Sequence, residues 1–350
     1  MKILKLFVGF LCCLLAINSQ AQQEVTLLDS NTFKLGEGVI LSKVSFRGLC
    51  VVNDQIIWAS GSRGTVAKST DGGKTFNFQQ LKDYPKSDFR DIEAFDDKTA
   101  VMLSSGTPAY ILKTVDGGET WEEIYKNMDT AVFLDAMDFW NSQKGMIVGD
   151  PIKGKFLLLQ TLNGGDTWKL IDQKYLPKAE KGEAIFAASG TSLKCWGNNE
   201  FGFVTGGMFS SFYKFKSPNS IAKKINLLIQ QGANGKGAFS FVKSNKTFLA
   251  VGGDYMKDSV RYKNYDEIGV NLYYEDMGSM PFGYRSCIEK LNGNIFIACG
   301  SNGVDVFNYK TKIWKNINQQ NFNVVKKAKV GNAVFIAGNK GKIGKIAAGF

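Results

Sequence analysis

The 350-residue chain contains no histidine. That single absence removes Ser-His-Asp and Cys-His catalysis and every histidine-ligated metal site. Proline is scarce, at six residues, and no proline-rich or low-complexity linker divides the chain into two domains. No G-x-G-x-x-G leads from a strand into a helix, and no G-x-x-x-x-G-K-S/T occurs. Nucleotide cofactors therefore have no visible cradle, and no cofactor is expected. Of six cysteines, Cys12 and Cys13 lie near the start, leaving Cys50, Cys195, Cys287 and Cys299. Four in so long a chain are not a disulfide framework, and without C-x-x-C spacing they are not a metal site. Cys287 and Cys299 fall on what read as neighbouring strands and could bridge. The reading we favour is four small buried thiols.

Long apolar runs are also missing, except one. Lys2 and Lys5 precede an apolar stretch over 6–17, and Ser19-Gln20-Ala21 follows as a small-x-small cleavage site. Residues 1–21 read as a secretory signal, so the mature chain is expected to begin near Gln22, exported to the periplasm or secreted. About a dozen apolar residues are too few to span a bilayer, so no transmembrane anchor is expected after signal removal. Cys12 and Cys13 lie inside the run, which argues against a lipid anchor. The formal charge is +11, or +9 without the two signal lysines. A basic exported protein favours acidic glycans, anionic headgroups or acidic polypeptide segments, and nucleic acid is not expected as a partner. Most of that charge reads as a solvated, lysine-rich surface.

What the chain has is repetition. Ser69-Thr70-Asp71-Gly72-Gly73-Lys74-Thr75-Phe76 recurs as Thr114-Val115-Asp116-Gly117-Gly118-Glu119-Thr120-Trp121 and as Thr161-Leu162-Asn163-Gly164-Gly165-Asp166-Thr167-Trp168. The copies start 45 and 47 residues apart, the length of a four-stranded propeller blade. A short carboxylate or carboxamide at Asp71, Asp116 or Asn163 can accept from backbone N–H groups just ahead of it. The following glycines supply positive φ, and Phe76, Trp121 or Trp168 can plug the space between strands. These residues are structural fasteners.

A second signal, an apolar strand running into glycine, occurs seven times, ending at Gly61, Gly106, Gly149, Gly206, Gly252, Gly300 and Gly338. Each reads as the second strand of a blade. The expected fold is all-β, a single seven-bladed β-propeller with blades at 44–83, 87–129, 130–173, 182–231, 236–279, 283–319 and 321–348. The last is one strand short, and residues 24–34 are expected to close the ring by supplying it. The segment 220–231 is taken as the outer strand of blade 4 rather than a short helix.

The three repeated stretches resemble the Asp-box, or bacterial neuraminidase repeat, S/T-x-D-x-G-x-T-W. Asn163 departs from it, while keeping a side-chain oxygen. Families carrying the box include sialidases, sortilin-like receptors, and the photosystem II assembly and stability factors with their non-photosynthetic bacterial relatives. The last of these resembles the chain most fully, through signal, seven blades and boxes on the early blades. The resemblance implies boxes on the turn between third and fourth strands, opposite the functional mouth, and a non-catalytic protein that binds a partner polypeptide. It names no client.

Arginine is rare, at five against 38 lysines. Three arginines follow an aromatic at the start of an innermost strand, in Phe46-Arg47, Phe89-Arg90 and Tyr284-Arg285, and Arg63 lies on a loop of the same face. Recurrent arginine in a lysine-rich chain suggests bidentate binding of carboxylate, sulfate or phosphate. The alternative is that each staples blades through a local carboxylate such as Asp91. Lys326 is expected nearby on blade 7. Across the ring Asp135, Asp138 and Glu183 on first strands, with Asp150 and Asp254-Tyr255 on loops, are expected to form an acidic half. The site residues expected for ligand or partner binding are thus Arg47, Arg63, Arg90, Arg285, Glu183, Asp150, Asp254 and Tyr255, with a protein or anionic glycan as ligand and a monomer as the working state. The alternative is a sialidase-like or other glycoside hydrolase using Glu183, Asp150 or Asp254 at that mouth. Gly48-Leu49 after Arg47 departs from the sialidase pattern, as does the placement of Arg90 and Arg285.

Overall fold

The computed structural model describes residues 24–28, 33–244, 247–269 and 279–347. The expected signal segment lies outside them. The described residues form seven sheets arranged as blades, with hardly any helix among them. Strands are lettered A to D from the central channel outward. In blade 1 they are Phe46–Val51, Ile57–Gly61, Thr65–Ser69 and Phe76–Gln80. Blade 2 runs Asp88–Ala94, Ala100–Ser105, Ala109–Thr114 and Glu122–Asn127, and successive strands pair antiparallel. In blade 5 three strands fall within the described residues, Lys236–Lys243, Thr247–Asp254 and Tyr265–Gly269.

Apolar side chains alternate to both faces of these strands because each blade is covered by a neighbour on either side. Trp58, Ile92, Met102 and Leu112 fill the space between blades 1 and 2, and Phe156, Phe203 and Tyr213 that between blades 3 and 4. Ile57, Phe335, Val325 and Ile297 join blades 1, 7 and 6 across the ends of the chain. Each such side chain contributes about 1.5–3 kcal/mol by burial.

The chain start divides between two blades. Val25–Leu27 pairs antiparallel with Ile343–Ile346 as strand D of blade 7. Phe33–Leu35 instead runs parallel to Phe76–Gln80 outside blade 1, so residues 24–34 do not serve one blade. Lys223–Asn226 is strand D of blade 4. The innermost strand of that blade is Leu193–Trp196, not the segment around Glu183. Glu183–Ala184 pairs with Gly206–Gly207, which in turn joins the inner edge of blade 5. The intervening residues 185–192 cross the mouth of the channel.

The boxes lie between strands C and D. Asp71 Oδ1 accepts from the Thr75 amide at 2.9 Å, its Oδ2 from the Thr75 hydroxyl at 2.6 Å, and Ser69 Oγ accepts from the Gly73 amide at 3.0 Å. Asp116 repeats the pattern with Thr120 and Thr114. Asn163 Oδ1 accepts from the Thr167 amide at 3.1 Å, and its amide group donates to the Thr167 hydroxyl. The second glycine of each box has φ of 83°, 88° or 89° at Gly73, Gly118 and Gly165. It is also where the turn meets strand B of the preceding blade. A Cβ there would stand 2.6 Å from Phe335, 3.2 Å from Trp58 and 2.8 Å from Val101, respectively. Trp121 then packs edge-on to Trp58 at 6.3 Å, and Trp168 to Phe139 at 5.8 Å. The box therefore fastens one blade to the next as well as closing its own turn.

Candidate functional site

Innermost strands share a device at their start. The pairing of strands A and B slips by one residue between Phe46 and Gly48, Phe89 and Asp91, Leu134 and Ala136, and Ala238 and Ser240. The extra residues are Arg47, Arg90, Asp135 and Phe239. A bulge bends its strand and re-aims one side chain. Blades 6 and 7 can be aligned through another repeated bond. The amides of Phe46, Ala238, Arg285 and Phe322 each donate to a carbonyl near the end of strand B of the preceding blade, at Gly338, Thr205, Gly252 and Gly300. The residues that follow are Arg47, Phe239, Ser286 and Asn323.

Arg47, Arg90, Phe239, Ser286 and Asn323 all line one cavity of about 410 Å³ at the mouth. Its wall also includes Phe186, Ala187 and Ala188 from the crossing segment, Tyr255 and Tyr284, and the polar Ser301, Asn321 and Asn339. Phe186 and Phe239 stack with centroids 3.9 Å apart, and Tyr284 meets Phe239 edge-on at 4.7 Å. On the other wall Arg47 Nη1 donates to the Ala188 carbonyl and Arg90 Nη1 to the Ala187 carbonyl, both at 3.4 Å. Arg90 Nε also donates to Asp88 at 2.8 Å. Burial, then the neighbouring charge of Arg90, lowers the pKa of Arg47; Asp88 partly offsets this. The two long 3.4 Å contacts leave donors unspent, so a ligand carboxylate placed between the guanidiniums would relieve their repulsion.

Arg285 stands elsewhere. It is equivalent to Phe46 rather than to Arg47, so its aromatic-Arg motif is out of phase by one residue, and a one-residue shift turns a strand side chain to the other face. Its guanidinium is fully buried, with Nε and Nη2 at 2.8 and 2.6 Å from Asp305 Oδ2 and Nη1 donating to the Tyr284 carbonyl at 2.7 Å. Arg285 thus pairs with a local carboxylate, as the alternative expected, but Asp305 lies on Gly303–Asn308 of its own blade rather than on a neighbouring one. Arg63 is exposed at the turn after strand B of blade 1, with φ of 62°, away from the cavity lining.

The expected acidic half is not an open surface. Asp135 occupies the bulge position of blade 3 yet is fully buried, and burial, with Asp150 beside it, pushes its pKa well above the usual carboxylate range. Asp138 accepts from the Cys195 amide at 2.6 Å. Asp150 accepts from the Ile185 amide at 2.9 Å, anchoring the crossing segment. Glu183 is enclosed by the Thr205 hydroxyl at 2.6 Å, Tyr213 at 3.0 Å and Lys224 at 3.1 Å. Burial opposes its ionisation, but the Thr205 hydroxyl, the Glu180 amide and the Lys224 charge hold its pKa below the ordinary value. Asp254 caps the turn 255–257 by accepting from the Met256 amide. Of that set only Tyr255 reaches the cavity. Lys326 is half-buried on strand A of blade 7, where the charges of Glu93, Glu289 and Asp91 outweigh the desolvation that disfavours its ammonium, and its pKa rises.

The four cysteines carry free thiols, although Cys287 and Cys299 face each other in register. Among the described residues no cluster of cysteine and carboxylate side chains could hold a metal, and no helix is long and apolar enough to cross a membrane. Phe186, Phe239, Tyr284, Ser286 and Asn323 were not singled out from sequence. Phe239, Ser286 and Asn323 stand 13, 14 and 15 residues before the glycine of their strand B signal, so no fixed count along the chain finds them, and nothing local marks Phe186.

Residues 86–188 match the profile of the family described as photosynthesis system II assembly factor YCF48. No curated protein sequence matches the chain. Among solved structures, YCF48 bound to D1 peptide is 13% identical with a TM-score of 0.63, over 93% of this chain and 95% of that one. YCF48 from Cyanidioschyzon merolae is 14% identical with a TM-score of 0.62, over 92% and 98%. The Neurospora crassa Pan2 WD40 domain reaches 0.60 at 13% identity, over 86% and 88%, so likeness at this level is a likeness of fold. Fold, repeats and the matched segment together make the chain an Asp-box β-propeller that resembles the photosystem II assembly factors.

Proposed function

We propose that the protein is an exported, non-catalytic binding propeller that takes a polypeptide carboxylate, an acidic side chain or a chain end, between Arg47 and Arg90. The observation that carries this is the pair of bulge arginines on adjacent blades, facing one cavity with the Phe186–Phe239 stack. The stack offers a flat apolar surface to a side chain next to the carboxylate. A similar propeller, YCF48, has been solved bound to D1 peptide, which favours a polypeptide over a glycan. Glu183, Asp150 and Asp254 are each engaged in holding backbone or blade, so the hydrolase alternative gains no support from their placement. The experiment is capture from the native cell envelope by the mature chain beside the Arg47→Ala/Arg90→Ala variant. A polypeptide retained by the first and lost by the second is the expected result; identical retention would refute the assignment.

A further inference from the structure

Next to the mouth, loops of blades 4 and 5 present exposed apolar side chains. Met256 is 73% exposed, Tyr262 61%, Met208 45% and Phe209 39%, with Tyr255 and Val260 exposed between them. Met208 and Phe209 follow strand B of blade 4, and residues 255–262 follow strand B of blade 5. One segment ties the two loops into a single surface. The Gly232 amide donates to the Gly207 carbonyl and the Gln231 side chain accepts from the Ser210 amide. On its other side the Gln230 amide and side chain donate to the Lys263 and Tyr262 carbonyls, and the Tyr255 amide donates to the Gly235 carbonyl.

Cations are interleaved with these apolar side chains. Lys257, Arg261 and Lys263 lie in the blade 5 loop, and Lys181 sits beside Gly182, whose carbonyl receives the Met208 amide. Among the described residues none of the four has a carboxylate partner. The Arg261 guanidinium lies over the Phe282 ring, 3.7 Å from its centroid. The acids of the same loop are engaged, since Asp254 caps the 255–257 turn and Asp258 accepts from the Ser301 hydroxyl at 2.6 Å.

We propose that these two loops dock the protein on an anionic phospholipid bilayer, with the mouth held at the membrane surface. Three features favour lipid over a folded protein. Met208, Phe209, Met256 and Tyr262 stand out from loop tips, and of the apolar set only Tyr255 also lines the cavity. Tyrosine, phenylalanine and methionine alternate with lysine and arginine, as suits the boundary between headgroups and acyl chains. The unpaired charge has the sign that anionic headgroups attract. The inference does not rest on the arginine pocket, because Arg47 and Arg90 belong to blades 1 and 2.

The test is co-sedimentation of the mature chain with vesicles of phosphatidylcholine alone and of phosphatidylcholine with phosphatidylglycerol. Binding is expected only to the anionic vesicles, weakening as salt is raised. Lys257→Glu and Lys263→Glu should each lower the partition coefficient by at least about fivefold. Met256→Asp with Tyr262→Asp should abolish binding at low salt, while Arg47→Ala/Arg90→Ala should bind vesicles like the wild type. Unaltered thermal melting of these exposed-loop variants separates lost docking from lost fold. No vesicle binding, or binding indifferent to both loop substitutions, would overturn the proposal; in the first case, cross-linking from Met256→Cys to a polypeptide would assign the surface to a protein.

Discussion

The two faces of the propeller are built by opposite rules. On one, three near-identical eight-residue turns each close on themselves with the same hydrogen bonds and press a glycine against the preceding blade. On the other, a repeated backbone position at the start of strand A, bulged in blades 1, 2, 3 and 5, carries Arg47, Arg90, Asp135 and Phe239, with Ser286 and Asn323 at the equivalent place in blades 6 and 7. The fastening face repeats side chains because the same turn must be made each time. The mouth repeats only geometry, and its side chains are free to differ because the bulge is a backbone feature that needs no particular side chain.

That contrast orders what substitution should do to stability. The largest effect is expected at Arg285, which belongs to the mouth by motif and to the blade interior by register. Arg285→Ala leaves Asp305 buried without its partner and should cost about 3–5 kcal/mol in urea unfolding; a loss no greater than that of Arg47→Ala would place the two arginines in one class after all.

Next come the fasteners. Asp71→Ala removes acceptors for the Thr75 amide and hydroxyl and should cost about 1–2 kcal/mol by the same measurement. This carboxylate also predicts a pH dependence. Partial burial raises its pKa, but hydrogen bonds from Thr75 and Ser69 bring it down to about 2. Because the folded value lies below the unfolded one, the stabilisation is complete above about pH 4 and is lost as pH falls through about 2. Thermal melting across that window should show a smaller acid loss in Asp71→Asn than in the wild type.

The arginines of the mouth should behave in reverse, losing function and keeping fold. Arg47→Ala/Arg90→Ala is expected to shift unfolding by less than about 1 kcal/mol, because the contacts broken are two long bonds to carbonyls and one half-exposed ion pair. A large loss of stability would make them staples. Smallest of all is Asn163→Asp, which restores the charged acceptor of the third box and should gain under about 1 kcal/mol near neutral pH. A destabilised variant would show that the carboxamide's donation to Thr167 outweighs charge.

Legibility in the sequence followed the same division. The Asp boxes and the seven strand-glycine signals could be read because each arises from contacts within a few residues: a side chain to an amide four positions on, an apolar run to its turn. Seven sheets resulted. The mouth was half legible. Arg47 and Arg90 were found because an aromatic happens to precede the bulge in blades 1 and 2, and the same cue misplaced Arg285, where Tyr284 stands one position early. Glu183 was assigned to an innermost strand by counting blades evenly, but residues 185–192 cross the channel and displace that strand to Leu193–Trp196. The Phe186–Phe239 stack joins positions 53 residues apart through that crossing.

By itself, then, the sequence determined the repeat, the number of blades and the chemistry of the turns, since all are local and recur at a fixed spacing. Only the tertiary structure decided which arginines meet in one cavity, which acids are sealed into the blades and which loops stand out toward solvent. Those outcomes depend on one-residue differences in strand register and on a single segment laid across the channel. Neither leaves a periodic mark in the chain, and each changes which face a side chain occupies.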